Sequence, residues 1–290
     1  MMDARVRYCI DSADAAMAFV NIGSGDRRHR LLVDRVAAEE LPAGQAVEQT
    51  ARHFGLTIDR SNRPPVRSFD DYLLPGSFAL RSRLVDPAHP DGIDDSGLLN
   101  TVEHEISRLR LVELALRPVS GDYGYEHARV IHGRIFGDVW HWAGSERVGP
   151  GTAMTRFAPD TVGFAPGDAS APMISYRYFA GPEIAEAASV QFAQLSHLST
   201  RTDLGRRRVL DLISEYGGEL NAIHPFRDGN MRTLWAYAAQ LEAHMGYPID
   251  VAGFLKTTAA HHLAMHSAYH FQATNDNGVM FRLMDSGLGE

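Results

Sequence analysis

The chain has 290 residues, room for one large or two modest domains at roughly 150 residues each. At 44% hydrophobic and 22% charged its composition is that of a globular protein, which excludes a chain disordered throughout, a collagen and a coiled coil. Lys plus Arg number 28 against 36 Asp plus Glu, a net charge of −8, so no global positive field is present and nucleic acid is excluded as a main partner.

The single cysteine, Cys9, cannot close an intramolecular disulfide, which fits a reducing compartment. No apolar run approaches the roughly 18 residues of a membrane span, and the start, with Asp3, Arg5 and Arg7, lacks the apolar core of a signal peptide. The expectation is a cytoplasmic protein with no membrane contact.

In chain order, residues 11–22 are Ala-rich and apolar and read as a helix broken by Gly23-Ser24-Gly25-Asp26. Residues 30–38 read as a second helix, and 43–54 as a third, after Pro42 and before Gly55. About sixty residues hold three short helices but hardly an independent core, so residues 1–60 are expected to dock on the remainder of the chain. The polar stretch 59–65, DRSNRPP, reads as a linker, which puts a second domain at 66–290. There helical periodicity dominates: 98–116, 126–136, 183–198, from about 204 to 223, and from about 230 to 245. The exception is 145–178, rich in Gly, Pro, Ala and Thr with short apolar pieces, which reads as a lid or a flap that docks substrate.

One segment carries chemistry: His224-Pro225-Phe226-Arg227-Asp228-Gly229-Asn230-Met231-Arg232-Thr233-Leu234-Trp235. A helix ends near Ile223, a tight loop comes next, and a new helix starts near Asn230. Unpaired backbone N–H groups at such a junction, with the positive end of the helix, bind phosphate oxygens. Asp228 is a hard oxygen ligand of the kind that holds Mg²⁺ with water and phosphates completing the shell. Arg232 offers a planar fork to phosphate, and a neutral His224 imidazole could take a proton from an attacking hydroxyl. On composition and spacing alone, a phosphate cradle and an ordinary polar helix-loop-helix connector both stay open.

The segment resembles the active-site motif of the Fic family (Fic/Doc fold), HPFx(D/E)GNGRxxR, departing from it at Met231 and Trp235. The resemblance extends to Tyr72-Leu73-Leu74-Pro75-Gly76 with Leu80 and Leu84, to the run Ile135-Phe136-Gly137-Asp138-Val139-Trp140-His141-Trp142-Ala143-Gly144, and to Gly246-Tyr247-Pro248-Ile249-Asp250. It implies an all-α fold over roughly residues 68–285, a helical bundle with a small β-hairpin flap, to which the small N-terminal helical module is added. It also implies a transferase in which the motif His deprotonates a hydroxyl that attacks the α-phosphorus of a Mg²⁺-bound nucleotide, usually ATP, giving an AMP-modified protein.

Carried over by position, His224 is the base and Asp228 the Mg²⁺ ligand. Gly229 and Asn230 form the anion hole, Asn230 also binds the α-phosphate, Arg232 binds the outer phosphates, and Phe226 anchors the loop in the core. The flap docks an extended segment of the target by strand addition, with 154–157 as its docking strand. Met231 replaces a glycine that keeps the backbone bare, and Trp235 replaces an Arg that pairs with the terminal phosphate of ATP. Altered ATP use is the consequence: a donor without a γ-phosphate, such as a nucleotide diphosphate conjugate, with Trp235 stacking on it. The acceptor is a hydroxyl on a protein or a small molecule, the oligomeric state is left open, and the alternative is a catalytically lost Fic fold kept as a binding or regulatory module.

Many Fic proteins are inhibited by a helix carrying (S/T)xxxE(G/N), and no intact copy is present; Thr101 and Glu105 have the spacing, but Ile106 stands next. Residues 15–24 with 36–41 resemble the three-helix antitoxins of Fic toxins, with Phe19 and Gly23 where Ser and Glu stand. This implies a fused, degenerate module that has become a cover or a pocket wall. His262, His266 and His270 lie at i, i+4, i+8 and could ligate a transition metal, but no acidic or thiol ligand accompanies them and a polar helix face is the favoured reading. His132 and His141 read as packing or surface residues, Arg206-Arg207-Arg208 as a solvated face, and Trp140 and Trp142 as core.

Overall fold

A computed structural model of the chain describes residues 3–149, 154–256 and 260–285. Three helices, α1 (Ala4–Ala18), α2 (Arg27–Ala37) and α3 (Ala43–His53), lead to a two-residue strand β1 (Thr57–Ile58), which pairs antiparallel with β2 (Leu84–Val85). The helices α4 (Ser96–Leu116) and α5 (Tyr125–Phe136) come next, then an antiparallel hairpin of β3 (Thr155–Pro159) and β4 (Met173–Arg177). The chain finishes with α6 (Ile184–Ser199), α7 (Arg206–Ile223), α8 (Asn230–His244), α9 (Val251–Lys256), α10 (Ala260–Thr274) and α11 (Gly278–Asp285). The architecture is all-α with a small hairpin at the expected place of the flap; positions 150–153 of that region lie outside the described residues. No helix among the described residues is long and apolar enough to cross a membrane.

The first helix starts seven residues and ends four residues earlier than the sequence suggests, because each of its ends is fixed by local chemistry. The Asp3 carboxylate accepts the Arg5 N–H at 2.7 Å and starts the helix. At the far end Asn21 takes the left-handed conformation, φ 62°, and the Ile22 N–H returns to the Met17 carbonyl at 2.9 Å, the closed turn typical of a helix stop. Helix α2 likewise starts three residues before the expected position, since Asp26 accepts the His29 N–H at 2.7 Å.

Helices α1, α2 and α3 all pack on α4, and α1 also reaches α8 and α9. Cys9, Met17, Val33 and Val47 belong to the same contiguous apolar core as Ile106, Phe136, Phe192 and Trp235. Polar contacts cross the same interface. Arg108 of α4, 2% exposed, donates to the Asp14 carboxylate of α1 and to the Gly23 carbonyl in the turn after it. Truncating a guanidinium this buried would strand both acceptors. The 59–65 stretch is tied down as well: Arg63 donates to Asp59 (2.9 Å), to the Ser82 carbonyl (2.9 Å) and to the Asp91 carbonyl (3.1 Å), and Arg60 bridges Glu48 and Asp138.

Candidate active site

The loop between α7 and α8 is held in an unusual shape by contacts from four separate parts of the chain. His224, which ends α7, has φ 54° and ψ 63°, while its N–H still donates to the Leu220 carbonyl at 2.9 Å. A non-glycine residue in this region is held there by its surroundings. Tyr178, just after β4, stacks on the imidazole with centroids 4.0 Å apart and planes 11° apart. Arg147, 2% exposed, donates from Nε to the His224 carbonyl at 2.6 Å and from Nη2 to the carbonyls of Phe179 (2.7 Å) and Ile223 (3.2 Å). Its own N–H donates to the Pro225 carbonyl at 2.9 Å, so this one residue staples the stem of the flap to the loop.

Beneath the loop, Phe226 is 1% exposed and stacks on His132 of α5 at 4.1 Å and 19°. The His132 Nδ1 accepts the Gly144 N–H at 2.7 Å, which leaves Nε2 as the protonated nitrogen donating to the Asp228 carbonyl at 2.9 Å. Burial pushes this imidazole down to about 4, so it stays neutral and the pair of bonds persists at neutral pH. The sequence offers His132 as a packing or surface residue; it is core, and it also braces the loop.

Asn230 closes the loop from the other side: Oδ1 accepts the Phe226 N–H at 2.9 Å and Nδ2 donates to the Phe226 carbonyl at 2.8 Å. Gly229 has φ 78°, and a Cβ there would stand 2.3 Å from the Phe136 ring. The backbone at this junction can therefore be glycine only. Helix α8 has no side-chain cap, so the N–H groups of its first turn, beginning at Asn230, are left without an intrahelical partner.

The loop opens on a cleft of about 580 Å³, lined among others by His224, Asp228, Met231, Arg156 of β3, Glu103 of α4 and the turn 20–22 beyond α1. Burial and the Arg147 guanidinium push the His224 imidazole down to about 3, so it is unprotonated at neutral pH, and a value this far below 7 also makes it a weak base. Asp228 is half-buried, and its Oδ1 accepts the Gly229 N–H at 2.8 Å. One carboxylate at an open cleft, with its second oxygen uncommitted to the loop, suits a hard cation that keeps most of its shell in water and phosphate. Among the described residues no group of three or more His, Cys, Asp or Glu could hold a metal by itself. Of the histidines on α10, His270 gives Nδ1 to the Thr161 carbonyl at 2.8 Å and stacks on His266 at 5.4 Å.

The remaining expected site residues stand differently from the motif's implication. Arg232 is not free for outer phosphates: 5% exposed, it donates from Nη1 to Glu103 Oε1 at 2.7 Å and to Ser107 Oγ at 3.0 Å, and it lies over the Phe136 ring at 4.6 Å. Burial raises the Glu103 carboxyl against the pull of Arg232. The Asn230 side-chain amide commits Oδ1 and one of its two Nδ2 hydrogens to Phe226, so its first task is to hold the loop, with the second amide hydrogen and the backbone N–H left as donors. Trp235 does not face the cleft, being packed against Phe19 at 5.2 Å and Phe254 at 4.5 Å, so it cannot stack on a donor there. Phe226 is sealed below the loop, an anchor and not a ligand contact. Met231 is partly exposed and lines the cleft.

The sequence alone marks none of Arg147, His132 and Glu103 as part of the site. His132 lies three residues before the family-like run 135–144 and Arg147 three residues after it, which is the one signal of their neighbourhood; Glu103 has none.

Residues 122–241 match the family model described as Fic/DOC family. The chain is 33% identical over 159 residues to the protein adenylyltransferase VbhT of Bartonella schoenbuchensis, covering 55% of this chain and 29% of that one. The chain thus spans less than a third of the length of that relative. With the probable protein adenylyltransferase Fic of Escherichia coli it shares 26% identity over 187 residues, 64% of this chain and 79% of the relative. Among solved structures, the BepC protein of Bartonella tribocorum with bound AMPPNP superposes with a TM-score of 0.56 at 17% identity, over 74% of this chain and 95% of that one. A Fic domain of a Bartonella quintana effector with bound ADP gives a TM-score of 0.57 at 20% identity, over 76% and 94%. The motif loop and the hairpin both fall inside residues 122–241, the part of the chain that matches the Fic/DOC family model, and the helical bundle has the fold of the solved Fic domains.

Proposed function

We propose that the protein is a Fic-type transferase that moves a nucleotidyl or related phosphate-containing group from a nucleotide to a hydroxyl, with the hydroxyl most readily supplied by a protein. The observation that carries this reading is the placement, on one cleft, of the His224 imidazole and the bare first turn of α8, whose Gly229 admits no side chain. A phosphoryl centre resting on those amides stands opposite a group that can take a proton. His224 accepts the hydroxyl proton, the freed oxygen forms a bond to the phosphorus, and the phosphorus–oxygen bond to the leaving phosphate breaks with its electron pair going to that phosphate. Asp228 would hold Mg²⁺, which supplies neutralisation of the phosphate charge. The flap's exposed strand β3 gives an extended peptide a main chain to pair with.

The donor is narrowed by the charges. With Arg232 tied to Glu103 and no arginine at 235, α8 offers a terminal phosphate no free guanidinium. This favours a donor less dependent on a γ-phosphate than ATP. The same two features favour, as the second reading, a Fic fold kept for binding without transfer. Incubating the purified chain with Mg²⁺ and a panel of labelled nucleotides, wild type beside His224→Ala, tests both. Labelling in the wild type alone is expected; equal labelling in the two proteins would remove His224 as the base, and nucleotide binding without labelling would favour the second reading.

A further inference from the structure

We propose that Arg156, on the flap strand β3, holds the donor's phosphates beyond the first, so that the anion clamp sits on the flap and not on the motif helix. The proposal rests on the nucleotide reading above. An exposed arginine on a strand is ordinarily a solvated charge; here its setting argues otherwise. Residue 156 pairs in register with Tyr176, and side chains alternate between strand faces, so Arg156 shares a face with Ala158. Ala158 and Tyr176 are buried against Tyr269 of α10, which turns that face inward. Arg156 lines the cleft with His224, Asp228 and Arg232, and its charge is felt at both His224 and Tyr269.

The rest of the cleft is short of usable positive charge. Arg232 is committed to Glu103 and Ser107, and Arg147 spends its guanidinium on main-chain carbonyls and the Met154 sulfur. Arg227 lies over the rings of Phe69 and Tyr72, away from the cleft. The His104 imidazole is pushed down to about 4 by burial and by Arg232, and burial with His262 lowers His261. Glu103 and Asp228 are the cleft's carboxylates. Among the described residues, Arg156 is the guanidinium at the cleft with no hydrogen bond or ion pair. A polyphosphate entering there meets, among the described residues, the Asp228 carboxylate, a Glu103–Arg232 pair and one free cation, and that cation is carried by the flap. Donor binding then fixes the flap strand that pairs with the acceptor.

Calorimetry on the full chain in Mg²⁺, with AMP and ADP as probes, separates the outcomes. Wild type is expected to bind ADP more tightly than AMP, with Arg156→Gln losing about tenfold in ADP affinity and little in AMP affinity. Arg156→Lys should keep most of the preference and Arg156→Glu should reverse it. Hydrogen exchange gives a second readout: ADP, but not AMP, should slow exchange in β3 and β4 of the wild type, and not in Arg156→Gln. If Arg156→Gln keeps the wild-type ADP preference, or if Arg232→Gln abolishes it, the flap clamp is wrong while the nucleotide reading stands. If neither nucleotide binds the wild type, the nucleotide reading fails and the clamp with it.

Discussion

Phe19, in the turn that ends the first helix, lies against Trp235 of the motif helix, ring centroids 5.2 Å apart and planes 44° apart. Phe254 also packs on the indole at 4.5 Å and lies 6.1 Å from Phe19, so the three rings form one cluster, and only 6% of Trp235 is exposed. Where the family motif has a guanidinium, this chain has an apolar joint between its N-terminal helices and its catalytic-type bundle. Trp235→Arg, which restores the motif residue, should therefore cost about 3–5 kcal/mol of stability by placing an unpaired charge among aromatic rings, whereas Trp235→Phe should cost about 1 kcal/mol. Urea denaturation of both variants checks this. A Trp235→Arg protein as stable as wild type would mean that the position opens to water after all.

Much of the fold is legible in the sequence because helices announce themselves locally. The apolar spacing over 98–116 and 126–136 matches α4 and α5 to within two residues, and the loop from His224 to Asn230 is readable as a junction because its capping and breaking residues are adjacent in sequence. What holds that loop is not legible. Arg147 reaches His224 across 77 positions, His132 reaches Asp228 across 96 and Glu103 reaches Arg232 across 129. No periodicity encodes a contact between residues so far apart. The Arg232 partner has the largest consequence, since a motif arginine that reads as free for phosphate is neutralised by a glutamate on a helix that carries no motif. Trp235 departs from its expected role for a related reason: its place in the motif specifies a position on α8, but the Phe19 that covers it comes from the opposite end of the chain.

Gly229 is the position where the loop has least tolerance. Its φ of 78° disfavours any side chain, and the Phe136 ring stands where a Cβ would go. Gly229→Ala should cost about 2–4 kcal/mol and abolish anion binding at the first turn of α8. Adding Phe136→Leu should recover part of the stability by relieving the contact, without recovering nucleotide affinity, because the backbone conformation stays disfavoured. Thermal melts and nucleotide titrations of the single and double variants distinguish the two effects. Full recovery of affinity in the double variant would show that the clash alone matters.

His132 acts through the Asp228 carbonyl, and its pH dependence has a definite sign. Its folded value, about 4, lies below the 6.5 of an unfolded histidine, so its stabilising contribution is complete above about pH 6.5 and is lost as pH falls toward 4. His132→Phe keeps a ring against Phe226 but strands the Asp228 carbonyl and the Gly144 N–H, which should cost on the order of 1–3 kcal/mol at pH 7.5. Toward pH 4.5 the gap between wild type and variant should narrow, as the wild type begins to resist protonation of the buried ring. Denaturant melts at the two pH values measure this; a gap that widens in acid would contradict the neutral, Nε2-protonated tether.

Glu242 provides the opposite slope. It is 1% exposed on α8, its Oε1 has no hydrogen-bond partner, and burial pushes the carboxyl up to about 8. Because the folded value lies above the unfolded 4.5, folding retains a proton that the unfolded chain releases. The benefit is complete below about pH 4.5 and is lost as pH rises through about 8. The Arg206 guanidinium opposes this rise without cancelling it. Glu242→Gln fixes the neutral form in nearly the same volume, so the two proteins should be close in stability at pH 5, with the variant ahead by roughly 2–4 kcal/mol at pH 9. Other titrating groups are common to both chains and drop out of the difference, which makes paired melts across this range a direct reading of the buried carboxyl. A difference that stays constant from pH 5 to pH 9 would place the Glu242 carboxyl in contact with water or with a cation, and the cavity beside α8, lined by Tyr8, Gln240 and His244, would then have to admit solvent to it.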